Sequence, residues 1–153
     1  MAAQQKIILH GTAVAIQGPD FPASAVLFRG ISGRGKSDLA FRLIAGGAVL
    51  VCDDQVSLER RHGKIMAEPV ETIRGLLEVR GVGLLKFTPS LPVPLGLVVD
   101  LVPREEVPRL PVWETVDILG MDIARLKLHA FEASAPFKII KAIELVHKPG
   151  LLV

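Results

Sequence analysis

The segment Gly30-Ile31-Ser32-Gly33-Arg34-Gly35-Lys36-Ser37 constrains this chain more than any other, because it matches G-x-x-x-x-G-K-[ST]. Its surroundings fit the motif. Ser24–Phe28 is an apolar run of strand length, and Ser37–Ala45 carries Leu39, Ala40, Leu43 and Ile44 at helical spacing. The unit is therefore strand, glycine loop, helix. Glycines let a backbone wrap closely around phosphate with its N–H groups turned inward. The helix beginning near Lys36 adds the positive end of its dipole. Lys36 supplies a point charge for the β- and γ-phosphates, and the Ser37 hydroxyl is placed to ligate Mg²⁺. Ser32 and Arg34 occupy variable positions of the motif and receive no chemical role. The expectation is a nucleoside triphosphate bound with Mg²⁺ and used for phosphoryl transfer.

A phosphate loop needs a carboxylate for magnesium or its water, usually at the end of a neighbouring strand. Two candidates follow apolar runs: Asp53-Asp54 after Ala48–Cys52, and Asp100 after Leu97-Val98-Val99, which is the closer match to the usual pattern of an apolar run ending in Asp. Spacing does not choose between them. The pair has the merit that two adjacent carboxylates can divide labour, one near the metal and one accepting a proton from an attacking hydroxyl. Asp100 has an alternative reading as a strand-end residue before the Pro103 loop.

Length and composition narrow the context. A chain of 153 residues is one domain of ordinary size. Half the residues are hydrophobic and 22% are charged, which is globular rather than disordered. The net charge of +2 is spread along the chain, and the densest basic run, Arg60-Arg61-His62-Gly63-Lys64, reads as a solvated hairpin turn rather than a nucleic-acid stripe. The apolar run after Met1–Lys6 is interrupted by His10-Gly11, unlike the core of a signal peptide. No stretch approaches the roughly 18 apolar residues of a membrane span. Cys52 is the only cysteine, so no intrachain disulfide is available. A cytoplasmic protein with no nucleic-acid or membrane partner is expected.

Further strands are read at Lys6–Ile16, with His10-Gly11 inside it, and at Val56–Arg60, Lys64–Ala67, Leu95–Val102, Val116–Leu119 and Arg125–Leu128, while Leu77–Phe87 is extended but broken by Gly81 and Gly83. Glu68–Leu77 is ambiguous and Pro103–Pro111 is loop. A last helix is expected over Phe137–Val146, with Pro136 in its first turn. Several connections are too short for helical crossovers, so the sheet should be mixed. The fold class expected is α/β: a mixed β-sheet flanked by helices and carrying the phosphate loop.

With these segments in hand, the chain resembles the catalytic domain of HPr kinase/phosphorylase, a bacterial enzyme that phosphorylates a serine of the phosphocarrier HPr. Four features carry the resemblance: His10-Gly11 upstream of the loop, Gly30–Ser37 followed by Asp38, Leu50-Val51-Cys52-Asp53-Asp54, and Leu76-Leu77-Glu78-Val79-Arg80-Gly81-Val82-Gly83-Leu84-Leu85. It covers Leu9 to about Leu85 and is similar to a short form without the family's additional N-terminal domain. The resemblance implies one catalytic domain over residues 1–153 on a phosphoenolpyruvate-carboxykinase-like scaffold. It implies ATP and Mg²⁺ as cofactors, HPr as substrate, a reverse phosphorylase activity and a homo-oligomer. Leu91, Leu95, Phe131 and Trp113 are read as its apolar surface.

Roles follow position by position from the resemblance. Lys36 and Ser37 match the nucleotide and magnesium positions, and Asp53-Asp54 match the acidic motif that takes the serine proton. Glu78, with Ser37 and Asp54, matches the magnesium site. His10 matches an active-site histidine that contacts phosphate or orients the Asp pair. Arg109 is the best match to an active-site arginine of the later loop. One segment departs from the family: Pro136-Phe137-Lys138-Ile139-Ile140-Lys141-Ala142 lacks the Gly-Arg-Asn tied there to dephosphorylation. Two rivals stand beside the kinase: a small-molecule phosphotransferase on the same scaffold, and a nucleotide-binding regulatory module.

Overall fold

The structure is a computed structural model and describes residues 5–153; the start of the N-terminal segment weighed above as a leader lies outside the described residues. Among the described residues, eleven strands and two α-helices make up the regular structure. They run β1 Lys6–His10, β2 Thr12–Ile16, β3 Ser24–Arg29, α1 Lys36–Ala45, β4 Val49–Cys52, β5 Gln55–Arg61 and β6 Lys64–Glu68. They continue with β7 Leu76–Val79, β8 Gly83–Lys86, β9 Val93–Leu101, β10 Glu114–Ile118, β11 Met121–Leu128 and α2 Ala135–His147.

Nine strands form one curled, mixed sheet in the order β1-β5-β6-β9-β3-β2-β4. The order branches at β9. Val93 and Pro94 pair antiparallel with β6, whereas Leu97–Leu101 pair parallel with β11, which carries β10 on its far side. The other edge of β9 pairs parallel with β3. The phosphate-loop strand β3 therefore has β2 and β4 on one flank, and β9 and β11 on the other. β7 and β8 form a separate hairpin.

Burial explains the continuous apolar runs of the central strands, since both of their faces are covered. Val14, Val26, Phe28, Leu97 and Val99 face α1 and α2, meeting Leu39, Leu43, Ile139 and Ile143. The alternate residues Ala13, Ala25, Leu27 and Val98 face a second core closed by Val56 and Leu58 of β5, Ile65 of β6 and Ile123 of β11. Each large aliphatic side chain buried this way contributes about 1.5–3 kcal/mol. The β7–β8 hairpin adds a smaller cluster, Leu77 and Val79 against Leu50 of β4 and Phe41 and Ile44 of α1.

The structure corrects the reading from sequence at two places and completes it at two others. Lys6–Ile16 is two strands, because Gly11 breaks it and sends the halves to different partners, β1 to β5 and β2 to β3 and β4. Leu77–Phe87 is extended and broken between its two strands, as expected, and the halves pair as the β7–β8 hairpin. Glu68–Leu77 contains a 3-10 turn at Glu71–Ile73. Leu95 is buried in the second core rather than offered as surface, whereas Leu91 and Phe131 are exposed. The mixed sheet flanked by helices is as expected, and no helix among the described residues is long and apolar enough to cross a membrane.

Candidate functional site

β3 ends at Arg29, and the chain loops over Gly30–Gly35 into α1. Gly33 and Gly35 take positive φ values of 89° and 88°, which side chains other than glycine rarely adopt. Gly35 is the N-cap of α1 and no side chain caps it, so the first N–H groups of the helix remain available to a ligand. Lys36 is 9% exposed. Its Nζ donates to the carbonyls of Gly30 at 2.6 Å and Ile31 at 3.2 Å, and no carboxylate lies against it. A buried cationic side chain without a counter-charge is costly unless an anion completes the site. The residues present therefore fit a phosphate group.

The acidic corner lies at the end of β4. Asp53 Oδ1 accepts hydrogen bonds from Ser37 Oγ at 2.7 Å and from Thr12 Oγ1 at 2.8 Å. Asp54 follows in a left-handed conformation, φ 69°, so the two adjacent carboxylates point in different directions. Its carboxylate lies 3.5 Å from His10 Nδ1, and both side chains are largely exposed. The backbone locks the corner: Gly11 N–H donates to Asp54 O at 3.0 Å and Gln55 N–H to Asp53 O at 2.8 Å. Gly11 is required for this approach, since a Cβ there would stand 2.8 Å from Phe28 O and 2.9 Å from Leu27 Cδ1. A serine hydroxyl and a carboxylate meeting at one point are hard oxygen donors, suited to Mg²⁺ that keeps waters and phosphate oxygens as its other ligands. Among the described residues no three His, Cys, Asp or Glu side chains converge as an all-protein metal cage.

Asp100, the other sequence candidate, has a different occupation. Arg29 grips it with two hydrogen bonds, Nε to Oδ1 at 2.8 Å and Nη2 to Oδ2 at 3.0 Å, and Arg125 Nε donates to Oδ2 as well. Burial alone pushes the Asp100 carboxyl up, but the two guanidiniums outweigh it and hold the group below the ordinary carboxylate range. Asp100 is thus a structural tie between β3, β9 and β11. An open cavity of about 340 Å³ lies beside it, bounded by Arg29, Ile31, Arg34, Glu106 and Arg125.

The structure brings His10, Lys36, Ser37, Asp53 and Asp54 into one neighbourhood. It does not bring Glu78 or Arg109 there by any hydrogen bond or ion pair. Glu78 projects from β7 between the packed Leu77 and Val79 and is exposed, and Arg109 is exposed in the loop after β9. Ser37 meets Asp53 rather than Asp54. In the loop itself, Ile31 and Ser32 are exposed and Arg34 is half-buried. Lys138 and Lys141 of α2 are paired with Glu132 and Glu144. Sequence reasoning missed Thr12. The signal was a lone hydroxyl in an otherwise apolar strand, and it is fully buried against Asp53.

Comparison with known proteins shows the family and the fold. The family described as "HPr Serine kinase C-terminal domain" matches residues 1–91. The HPr kinase/phosphorylase of Caldicellulosiruptor bescii is 35% identical over 125 residues, covering 81% of this chain and 37% of the relative. That of Bordetella pertussis is 36% identical over 132 residues, covering 78% of this chain and 41% of the relative. The chain thus spans about two fifths of the length of these relatives. The solved structure of the Hpr(Ser) kinase/phosphatase from Coxiella burnetii superposes with a TM-score of 0.79, covering 95% of this chain and 92% of that one. At 23% identity, that likeness is one of fold.

Proposed function

The chain belongs to the HPr serine kinase C-terminal domain family, and from that premise we propose that it is an ATP- and Mg²⁺-dependent kinase acting on a serine of HPr, with a reverse phosphorylase reaction. The observation that carries this reading is the node at Asp53 Oδ1, where the hydroxyl of the phosphate-loop serine and that of Thr12 converge. A glycine-rich turn with no catalytic duty has no use for a half-buried carboxylate aimed at its serine.

The chain's own residues divide the work. Gly30–Gly35 and the N-terminus of α1 cradle the triphosphate, and Lys36 exchanges its loop carbonyls for phosphate oxygens. Ser37 and Asp53 would hold Mg²⁺, which supplies charge neutralisation on the β- and γ-phosphate oxygens when bound. Asp54 has no hydroxyl partner and is open to solvent, which supports its assignment as the residue that meets an acceptor serine. In the forward direction the serine O–H gives its proton to Asp54, the serine oxygen attacks the γ-phosphorus, and the bond to the β–γ bridging oxygen breaks to release ADP. His10 beside Asp54 orients that carboxylate. In the phosphorylase direction an oxygen of inorganic phosphate attacks the phosphoserine phosphorus to form pyrophosphate, the bond to the serine oxygen breaks, and Asp54 gives its proton to that departing oxygen. A small-molecule acceptor would need an anion pocket, and the cavity near Arg29 and Arg125 fits poorly because Asp100 already occupies both guanidiniums.

The division of labour is tested by two single variants. Asp54→Asn should retain Mg²⁺-dependent ATP binding and lose transfer to HPr by about 10²–10⁴-fold. Asp53→Asn should lose the magnesium dependence of ATP binding itself. Calorimetric titration and a phosphoserine assay measure the two quantities. Undiminished transfer by both variants would remove the kinase reading from this site.

A further inference from the structure

We infer that Phe131 is the platform on which the base of the nucleotide stacks; the inference rests on the nucleotide reading above and adds the other end of the ligand. The loop after β11 runs through His129, Ala130, Phe131 and Glu132 to α2. It reaches the phosphate loop at one point. A Cβ on Gly35 would lie 2.9 Å from Ala130 Cβ and 3.0 Å from the ring atoms Cε1 and Cζ of Phe131. An aromatic ring thus abuts the residue that caps α1, where the phosphates are to be held. Yet 59% of Phe131 faces solvent. A ring serving only to seal Gly35 would be buried, and Ala130 already fills that role.

The sheet order gives the direction. β4, which delivers Asp53 and Asp54, is two strands from β3 on one side, and β11, which delivers Phe131, is two strands from β3 on the other. The acidic corner marks the flank where the γ-phosphoryl group meets its acceptor. A nucleoside triphosphate laid across the loop with that end at Asp54 sends its base to the opposite flank, where the exposed ring stands.

The ring is also held in place. His129 packs edge-on against it, with ring centroids 5.6 Å apart and planes at 71°. Nδ1 of that histidine is bonded to Val102 O at 3.0 Å. Arg42 of α1 donates to Glu132 O at 3.2 Å and also to Ala130 O, so the helix that binds the phosphates fixes the loop that carries the ring. Such a pre-positioned platform costs little ordering when ligand arrives. Every base has a π-face, so the ring favours a base without selecting one by hydrogen bonds.

The test compares ATP with inorganic tripolyphosphate, which has the phosphates and no base, by calorimetric titration in Mg²⁺ buffer. Wild type should bind ATP more tightly than tripolyphosphate. Phe131→Ala should weaken ATP by about 5- to 100-fold, the range that loss of a base–aromatic stack produces, and leave tripolyphosphate unchanged. Phe131→Trp should restore ATP affinity. Equal weakening of both ligands by Phe131→Ala would make the ring a mere support for the loop and overturn the inference. So would equal wild-type affinity for both, while leaving the phosphate-loop reading intact. Binding of neither ligand by wild type would overturn that reading and this one together.

Discussion

Asp100 gathers Arg29 from 71 residues away in sequence and Arg125 from 25 residues away. Its side chain is only 16% exposed, so the ties are shielded from solvent and their loss should be felt. Asp100→Asn keeps the shape but leaves two guanidiniums facing an uncharged amide. It should cost about 2–3 kcal/mol at pH 7, in line with charged hydrogen bonds lost from a shielded site. The pH dependence follows from the depressed carboxyl. A group whose folded pKa lies below its unfolded value of about 3.9 adds stability above that value and loses it as pH falls through the folded one. The gap between wild type and Asp100→Asn in urea unfolding should therefore be full at pH 7 and pH 5 and narrow at pH 3. A gap independent of pH would contradict the ion-pair account. Sequence offered Asp100 as a magnesium residue because it follows an apolar run, the same pattern that marks Asp53. What separates them is which partners arrive: two arginines in one case and two hydroxyls in the other. Those partners come from distant segments, and local pattern carries no trace of them.

Elements whose ends are marked by backbone chemistry were legible. α1 was expected over Ser37–Ala45 and runs Lys36–Ala45, closed by the bonds from Gly46 N–H to the Arg42 and Leu43 carbonyls. The β5–β6 hairpin turns at His62-Gly63, both at positive φ, as the basic turn suggested. The break between β1 and β2 was not legible, because Ile and Val continue on both sides and strand propensity does not say which partner a strand will take. Gly11 makes that break possible by letting the backbone pass close to Phe28 and Leu27. Gly11→Ala should therefore destabilise the fold by about 1–3 kcal/mol, the usual cost of overfilling a packed site. It should also weaken Mg²⁺-dependent ATP binding, because Gly11 N–H holds the Asp54 carbonyl of the acidic corner. Denaturant midpoints and ATP titrations read the two effects. An alanine accepted with neither change would show that the close approach is not needed.

For the whole molecule, the branched sheet matters more than the count of its strands. β9 turns from β6 to β11 along its length, so one curled layer both closes the second core and sets two flanks around β3. The acidic corner arrives on one flank and the exposed ring on the other, with the phosphate loop between them. Strand order of this kind depends on which non-local pairings win, so the loop and the Asp pair could be read from the chain but their placement about β3 could not. Glu78 and Arg109, carried over from the resemblance, are both exposed, on β7 and in the loop after β9. The measurement that tests the central claim most directly is intact-mass spectrometry of HPr from the same organism after incubation with this protein, ATP and Mg²⁺, with Lys36→Ala in parallel. The account predicts a gain of one phosphate on an HPr serine with wild type and none with Lys36→Ala. An HPr mass unchanged by wild-type protein that demonstrably binds ATP would contradict it.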